Sequence, residues 1–221
     1  MEPATRTLSE AASKQLLTTH RVPTVAGIVV PTASEAALKA NELDYPVVVK
    51  LCGDAIAHKT ERGLVRLGLG DADAVREAAG ELLALARPDD GPVELLVMPM
   101  VKGSRELIAG IHTAPQFGPC VMLGIGGVLA EAIHDVQFRL VPITPLDAAE
   151  MIEGLRTQAL LGAFRGEPAV DREALTEILL GLSRAAEADP EIVSVDLNPL
   201  VIVDGVPLAV DALVELRTGA A

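Results

Sequence analysis

Residues 196–212 read DLNPLVIVDGVPLAVDA, two apolar runs joined by Asp204-Gly205. An Asp-Gly pair between such runs is a strong local signal for a two-residue β-hairpin, because both residues tolerate the left-handed backbone that the loop needs. Pairing outward from Val203 and Val206 sets Asn198 opposite Asp211. Asp196, two residues from Asn198, shares its face by the period of a strand. Three oxygen-bearing side chains therefore gather inside an otherwise apolar ribbon. A hard cation such as Mg²⁺ takes that set: oxygen donors only, few of them from protein, the rest from water or phosphate. The same letters also read as the start of a turn, since Asn-Pro is a frequent turn initiator. Pro199 falls opposite Val210 and has no N–H for a ladder, so the pairing is expected to bulge or break there.

The 221 residues suffice for one domain or two closely packed subdomains. Half of them are apolar, yet only three Phe and one Tyr are aromatic, so the core is aliphatic. The formal charge of −13, with no Lys/Arg-rich tract, argues against a nucleic-acid partner. Cys52 and Cys120 lack metal-ligand spacing and read as reduced, mostly buried thiols. The N-terminal residues MEPATRTLSEAASK carry no apolar signal-peptide core, and no run of about 18 apolar residues spans a membrane. A soluble, cytoplasmic protein without a membrane partner is the expectation.

Along the chain, helices are predicted at 8–20 (capped by Ser9), 34–43 (capped by Ser34), 71–88, 144–161 and 171–190 (capped by Asp171). Strands are predicted at 27–30, 45–51, 64–69, 93–101, 105–111 and from 119 into a glycine-rich bend. This alternation, with hairpins in the second half, indicates an α/β or α+β fold of two lobes.

The charge is unevenly distributed. Residues 50–66 carry Lys50, Lys59, Arg62 and Arg66 against Asp54 and Glu61, a net of +2, whereas residues 71–100 carry a net of −5. An acidic chain that keeps its positive charge in one glycine-containing loop, 51–63, is suited to phosphate there. Taken alone, Lys50 at the mouth of a valine strand also reads as a lysine reaching out to solvent. By itself, Glu106 reads as a partner of neighbouring Arg105 or as a solvated carboxylate.

YPVVVK (45–50), AHKTERGLV (57–65), ELLVMPMVKGSRELIAG (94–110), QFGPCVMLGIGGVLAEAIHD (116–135), LLGAFRGEP (160–168) and DLNPL with AVDA (196–200, 209–212) occur in an order that resembles ATP-grasp domains. More narrowly, the chain is similar to the ATP-grasp (β) part of ADP-forming acyl-CoA synthetases, relatives of the succinyl-CoA synthetase β subunit. The resemblance runs from about Leu8 to Leu216. It implies an ATP-grasp fold of two subdomains enclosing a nucleotide cleft: a lead-in helix at 1–23, one subdomain at 24–97 with the phosphate-facing loop, and another at 98–221 with the metal-binding hairpin.

It also implies roles. Lys50 would contact the phosphates of ATP or ADP, aided by Arg62. The hinge from Val97 through Met98 to Val101 would bind adenine through its backbone, since Met98 stands where relatives often have Gln or Glu. Glu106 would bind the ribose, and Asn198, Asp211 and Asp196 would hold Mg²⁺. His58, with Lys59 beside it, would relay phosphoryl, because a neutral imidazole is a competent nucleophile and the family chemistry runs through phosphohistidine. Where relatives usually have two glycines after this pair, Gly63 here lies between Arg62 and Leu64. With no Rossmann-type CoA-binding segment, the chain implies a separate CoA-binding α subunit in a heteromer such as α₂β₂, contacting residues 119–143 and 164–166. Two other readings remain open: a stand-alone ATP-grasp carboxylate–amine ligase, and a non-catalytic nucleotide-sensing module.

Overall fold

A computed structural model describes residues 4–56, 59, 62–127, 133–163 and 165–218. The chain begins with β1 (Thr5–Thr7), α1 (Glu10–Thr19), β2 (Ile28–Val30), α2 (Ala33–Ala40), β3 (Val47–Cys52) and β4 (Val65–Leu69). It continues with α3 (Ala72–Ala84), β5 (Glu94–Pro99), β6 (Glu106–Ala114), β7 (Gly118–Ile125) and β8 (Val136–Leu140). The last elements are α4 (Pro145–Glu153), α5 (Arg172–Ala188), β9 (Ile192–Val203), β10 (Val206–Ala209) and β11 (Leu213–Arg217).

Among the described residues there are two sheets, one ordered β2-β5-β3-β4 and one ordered β1-β11-β9-β6-β7-β8 with β10 also on β9. The chain divides into two compact units. One takes residues 6–13 and 25–100; the other takes residues 4–5, 14–24 and 101–218. The sequence reading put divisions after 23 and after 97; here the later one follows Met100. β5 stays paired with β3 as far as Pro99, and the Met100 N–H donates to the Pro46 carbonyl at 3.0 Å, which keeps these residues with the first sheet. The first turn of α1 groups with one unit and its remainder with the other.

In the unit of 25–100, the unbroken run VVVKLC makes β3 a strand buried at every position, flanked by β5 and β4. α2 and α3 cover the sheet with Ala36, Ala37, Ala40, Val75, Ala79 and Leu82, packed on Val47, Val49, Leu51, Leu95 and Val97. Small residues on α2 let it pack closely, so β-branched strands fill the core without aromatic rings. α2 is capped by Thr32, whose Oγ accepts from the Glu35 N–H at 3.2 Å, and not by Ser34. α3 is capped by Asp71 and stops at Ala84, earlier than predicted. Pro88–Asp90 then forms a 3₁₀ turn tied by the Arg87 N–H to Asp90 at 2.8 Å.

In the other unit α4 and α5 pack on the larger sheet, α5 capped by Asp171 as expected. The predicted helix 144–161 ends at Glu153. Its continuation is diverted because the buried Asp135 carboxylate accepts from the N–H groups of Arg156 (3.0 Å) and Thr157 (2.8 Å). β8 lies outside the predicted strands: its short run VQFRL has no buried residue, and Phe138 and Leu140 face outward.

Candidate functional site

The Asp-Gly loop turns as its letters require, with φ of 49° at Asp204 and 89° at Gly205. The hairpin register runs from Val206↔Val203 to Ala209↔Leu200, and the same register resumes in β11 with Leu213↔Asp196. Residues 210–212 lie between these two ladders, and the register common to both makes Asn198 the position across from Asp211. The physical cause of this break is Pro199: it offers no N–H, and its carbonyl accepts from Val210 at 3.3 Å. On the other side of β9, Leu107 pairs with Leu200 and Ala109 with Leu197, so Asn198 and Pro199 together oppose Ile108 in a bulge. The break is pinned by Lys14 of α1, whose buried Nζ donates to the Val210 carbonyl at 3.2 Å.

Asp196 and Asn198 stand exposed on one face of β9 while Val195 and Leu197 are buried on the other. Asp211 is half-buried, and its Oδ1 accepts from the Ala212 N–H at 2.9 Å. Among the described residues no three His, Cys, Asp or Glu side chains close into a metal cage. Two carboxylates and an amide at a strand break fit an ion that keeps water or phosphate as its other ligands, as Mg²⁺ does.

Glu106 opens β6 beside this ribbon. The GIGG bend wraps over it: the Gly126 N–H donates to the Glu106 carbonyl at 2.8 Å. Gly127 has φ +78°, and a Cβ there would stand 3.4 Å from Glu106 Oε2. Glu106, Leu107, Gly126, Gly127, Leu160 and Ile202 line a cavity of about 320 Å³. The glycine-rich bend therefore shapes the space next to Glu106. Arg105 does not pair with Glu106. Its buried guanidinium donates to the carbonyls of Leu160 (3.1 Å), Gly162 (2.9 Å) and Pro168 (2.6 Å) and to Glu167 Oε2 (3.1 Å). Hydrogen bonds from Ser104 and then Arg105 hold the Glu167 carboxyl below its usual range. At Asp135 burial pushes the carboxyl up, but hydrogen bonds from the Thr157 hydroxyl and the Arg156 and Thr157 N–H groups outweigh it, and the net shift is downward.

In the unit of 25–100, Lys50 is buried and does not reach out to solvent. Its Nζ meets Glu10 Oε1 at 2.8 Å, and Lys59 Nζ meets Glu10 Oε2. Arg62 makes a bidentate pair with Asp90, 2.7 and 2.8 Å. This pairing, with the Arg87 N–H, lowers the Asp90 carboxyl to about 2. Arg66 meets Glu81 at 3.1 Å. The stretch 50–66 that looks basic in sequence is thus partnered by Glu10, Asp90 and Glu81, none of them legible as partners because they lie far away in the chain. Glu10 carried one local signal, its place in the first turn of a helix, and that signal suggests only a favourable helix dipole.

Val97 and Met98 are buried in β5, where the β2 ladder ends at Val97 and the β3 ladder continues to Pro99; Val101 is half-buried. His58 lies outside the described residues. Cys52 and Cys120 are both unbridged. No helix among the described residues is long and apolar enough to cross a membrane.

The chain is similar to known proteins over nearly its whole length. The ATP-grasp domain family matches residues 1–216. The β subunit of ADP-forming acetate–CoA ligase I from Pyrococcus furiosus is 36% identical over 210 residues, covering 94% of this chain and 90% of that one. The dinucleotide-forming acetyl-coenzyme A synthetase 1 of Ca. Korarchaeum cryptofilum, solved with coenzyme A, Ca-AMPCP and HgCl⁺, superposes with a TM-score of 0.88 at 32% identity, covering 96% of this chain and 94% of that one. A selenomethionine form of that enzyme, solved with coenzyme A and Mg-AMPPCP and with its phosphohistidine segment pointing towards the nucleotide binding site, gives a TM-score of 0.79 at 33% identity, with coverages of 94% and 92%. The chain belongs to the ATP-grasp family and is homologous to the β subunits of ADP-forming acetate–CoA ligases.

Proposed function

We propose that this chain is the nucleotide-binding subunit of an ADP-forming acyl-CoA synthetase, which interconverts acid, CoA and ATP with acyl-CoA, ADP and phosphate through acyl phosphate and phosphohistidine. The supporting observation is the oxygen-only trio at the β9 break, Asp196, Asn198 and Asp211, on a chain homologous to such subunits. These residues would hold Mg²⁺, which when bound neutralises charge on the phosphoryl oxygens. Lys50 places a second positive charge on the phosphates. Phosphoryl transfer asks a protein for positioning and charge neutralisation more than for covalent chemistry, and these groups supply both.

The half-buried Glu106, beside a cavity of about 320 Å³, accepts from the ribose hydroxyls. The backbone of the hinge from Val97 through Met98 to Val101 meets adenine. Arg62, engaged by Asp90, shapes the phosphate loop and adds to its potential. His58 receives phosphoryl, with Lys59 beside it. CoA binds on a partner subunit, and the protein works in the cytoplasm.

The test is calorimetric titration of ADP with and without Mg²⁺, followed by turnover with the CoA-binding partner present. Wild type is expected to bind ADP more tightly with Mg²⁺. Lys50→Met is expected to lose at least tenfold in ADP affinity, and Asp211→Ala to lose the Mg²⁺ dependence. Unchanged Mg²⁺ dependence in Asp211→Ala would overturn the metal assignment, and ADP binding without turnover in the complex would favour a sensor.

A further inference from the structure

Glu10 has no part in the roles assigned above, yet it is 3% exposed and divides its carboxylate between two buried lysines. Oε1 accepts from Lys50 Nζ at 2.8 Å, and Oε2 accepts from Lys59 Nζ. The two lysines are held by different means. Lys50 is locked in β3, opposite Leu96 of β5 and Val65 of β4. Lys59 belongs to the loop that leaves β3; its carbonyl accepts from the Leu64 N–H at 2.8 Å, where the chain returns. Glu10 comes from neither segment: 40 residues separate it from Lys50 and 49 from Lys59.

Removing a carboxylate and two ammonium groups from water is expensive, and apolar side chains of similar volume would fill the same space at less cost. What the charged arrangement adds is geometry, because one carboxylate links two ammonium groups that come from separate segments of the chain. We infer that Glu10 is a positioning residue that couples Lys59 to Lys50, so that the two act as one phosphate-binding pair. The inference rests on the reading of Lys50 as a phosphate ligand. Glu10 itself touches no substrate; it sets where the loop lysine stands when phosphate arrives. Its effect should therefore appear on ligands bearing the outer phosphate and not on those lacking it.

The experiment titrates AMP and Mg-ADP into wild type, Glu10→Gln, Lys59→Gln and the double variant. Glu10→Gln keeps the shape but replaces one acceptor with a donor, so it holds one lysine and not both. The expected result is an ADP affinity about tenfold lower with AMP affinity within twofold of wild type. Lys59→Gln should match it, and the double variant should lose no more than either single one, as for residues acting through one interaction. An unchanged ADP-to-AMP ratio in Glu10→Gln, an equal loss for both nucleotides, or a double-variant loss equal to the product of the single losses would overturn the inference. If wild type itself fails to distinguish ADP from AMP, the phosphate role of Lys50 falls first. Should Glu10→Gln not fold, Glu10→Asp carries the same test, because aspartate reaches one lysine but not both.

Discussion

Asp90 accepts three charged or backbone donors: both terminal nitrogens of Arg62 at 2.7 and 2.8 Å, and the Arg87 N–H at 2.8 Å. Removing one partner from such a set costs more than the set contributes, since the other is left desolvated. Asp90→Asn is expected to lower stability by about 1.5–3 kcal/mol at pH 7, read from the urea midpoint. The carboxyl titrates lower in the folded protein than in the unfolded chain. Its contribution is complete above the ordinary carboxylate value of 3.8 and disappears as pH falls through about 2. The gap between wild type and Asp90→Asn should therefore narrow from pH 4 downward; a constant gap would show that packing, not the ionised pair, is responsible.

At the scale of elements, two connections are held from outside themselves. Gly205 closes the β9–β10 turn at φ +89°, and a Cβ there would stand 2.6 Å from the Ala169 carbonyl oxygen. Gly205→Ala combines a left-handed strain with a backbone clash, and a loss of about 1–3 kcal/mol is expected, visible as a lower melting temperature. Arg105 staples the segment 160–168 to the start of β6 through three carbonyls and Glu167. A lysine has no planar fork to reach four acceptors at once, so Arg105→Lys should behave as a severe change. Limited proteolysis within 160–168 is expected to rise severalfold, with Arg105→Ala as the reference for complete loss of the staple.

At the scale of the whole molecule, the unit of 101–218 presents Phe117, Phe138, Leu140 and Leu146 at 48–70% exposure, on a chain with only four aromatic residues. Contiguous exposed apolar side chains mark interaction surfaces. Phe138 and Leu140 lie two apart on β8 and face the same way. If the proposed CoA-binding partner docks here, Phe138→Asp with Leu140→Asp is expected to abolish co-purification with it while leaving ADP affinity unchanged; retained co-purification would exclude β8 from such an interface. Acid should weaken the molecule as a whole, because the carboxyls of Asp90, Asp135, Asp147 and Glu167 are all shifted downward in the folded state. The melting temperature should hold above pH 5 and fall steadily below pH 4.

The amino-acid sequence by itself determined what depends on neighbours in the chain. The Asp-Gly letters set the hairpin register, and Pro199 set its break, because a loop of two residues and a missing N–H leave the backbone no alternative. The face shared by Asp196 and Asn198 follows from the same local geometry. Tertiary structure decided the rest. Whether Lys50 was solvated or held depended on Glu10, 40 residues away. Whether Arg105 paired with its neighbour or with Glu167 depended on where residues 160–168 return. The end of the fourth helix depended on the buried Asp135 capturing two N–H groups beyond it. A charged side chain takes the partner that burial brings near, and burial belongs to the folded chain.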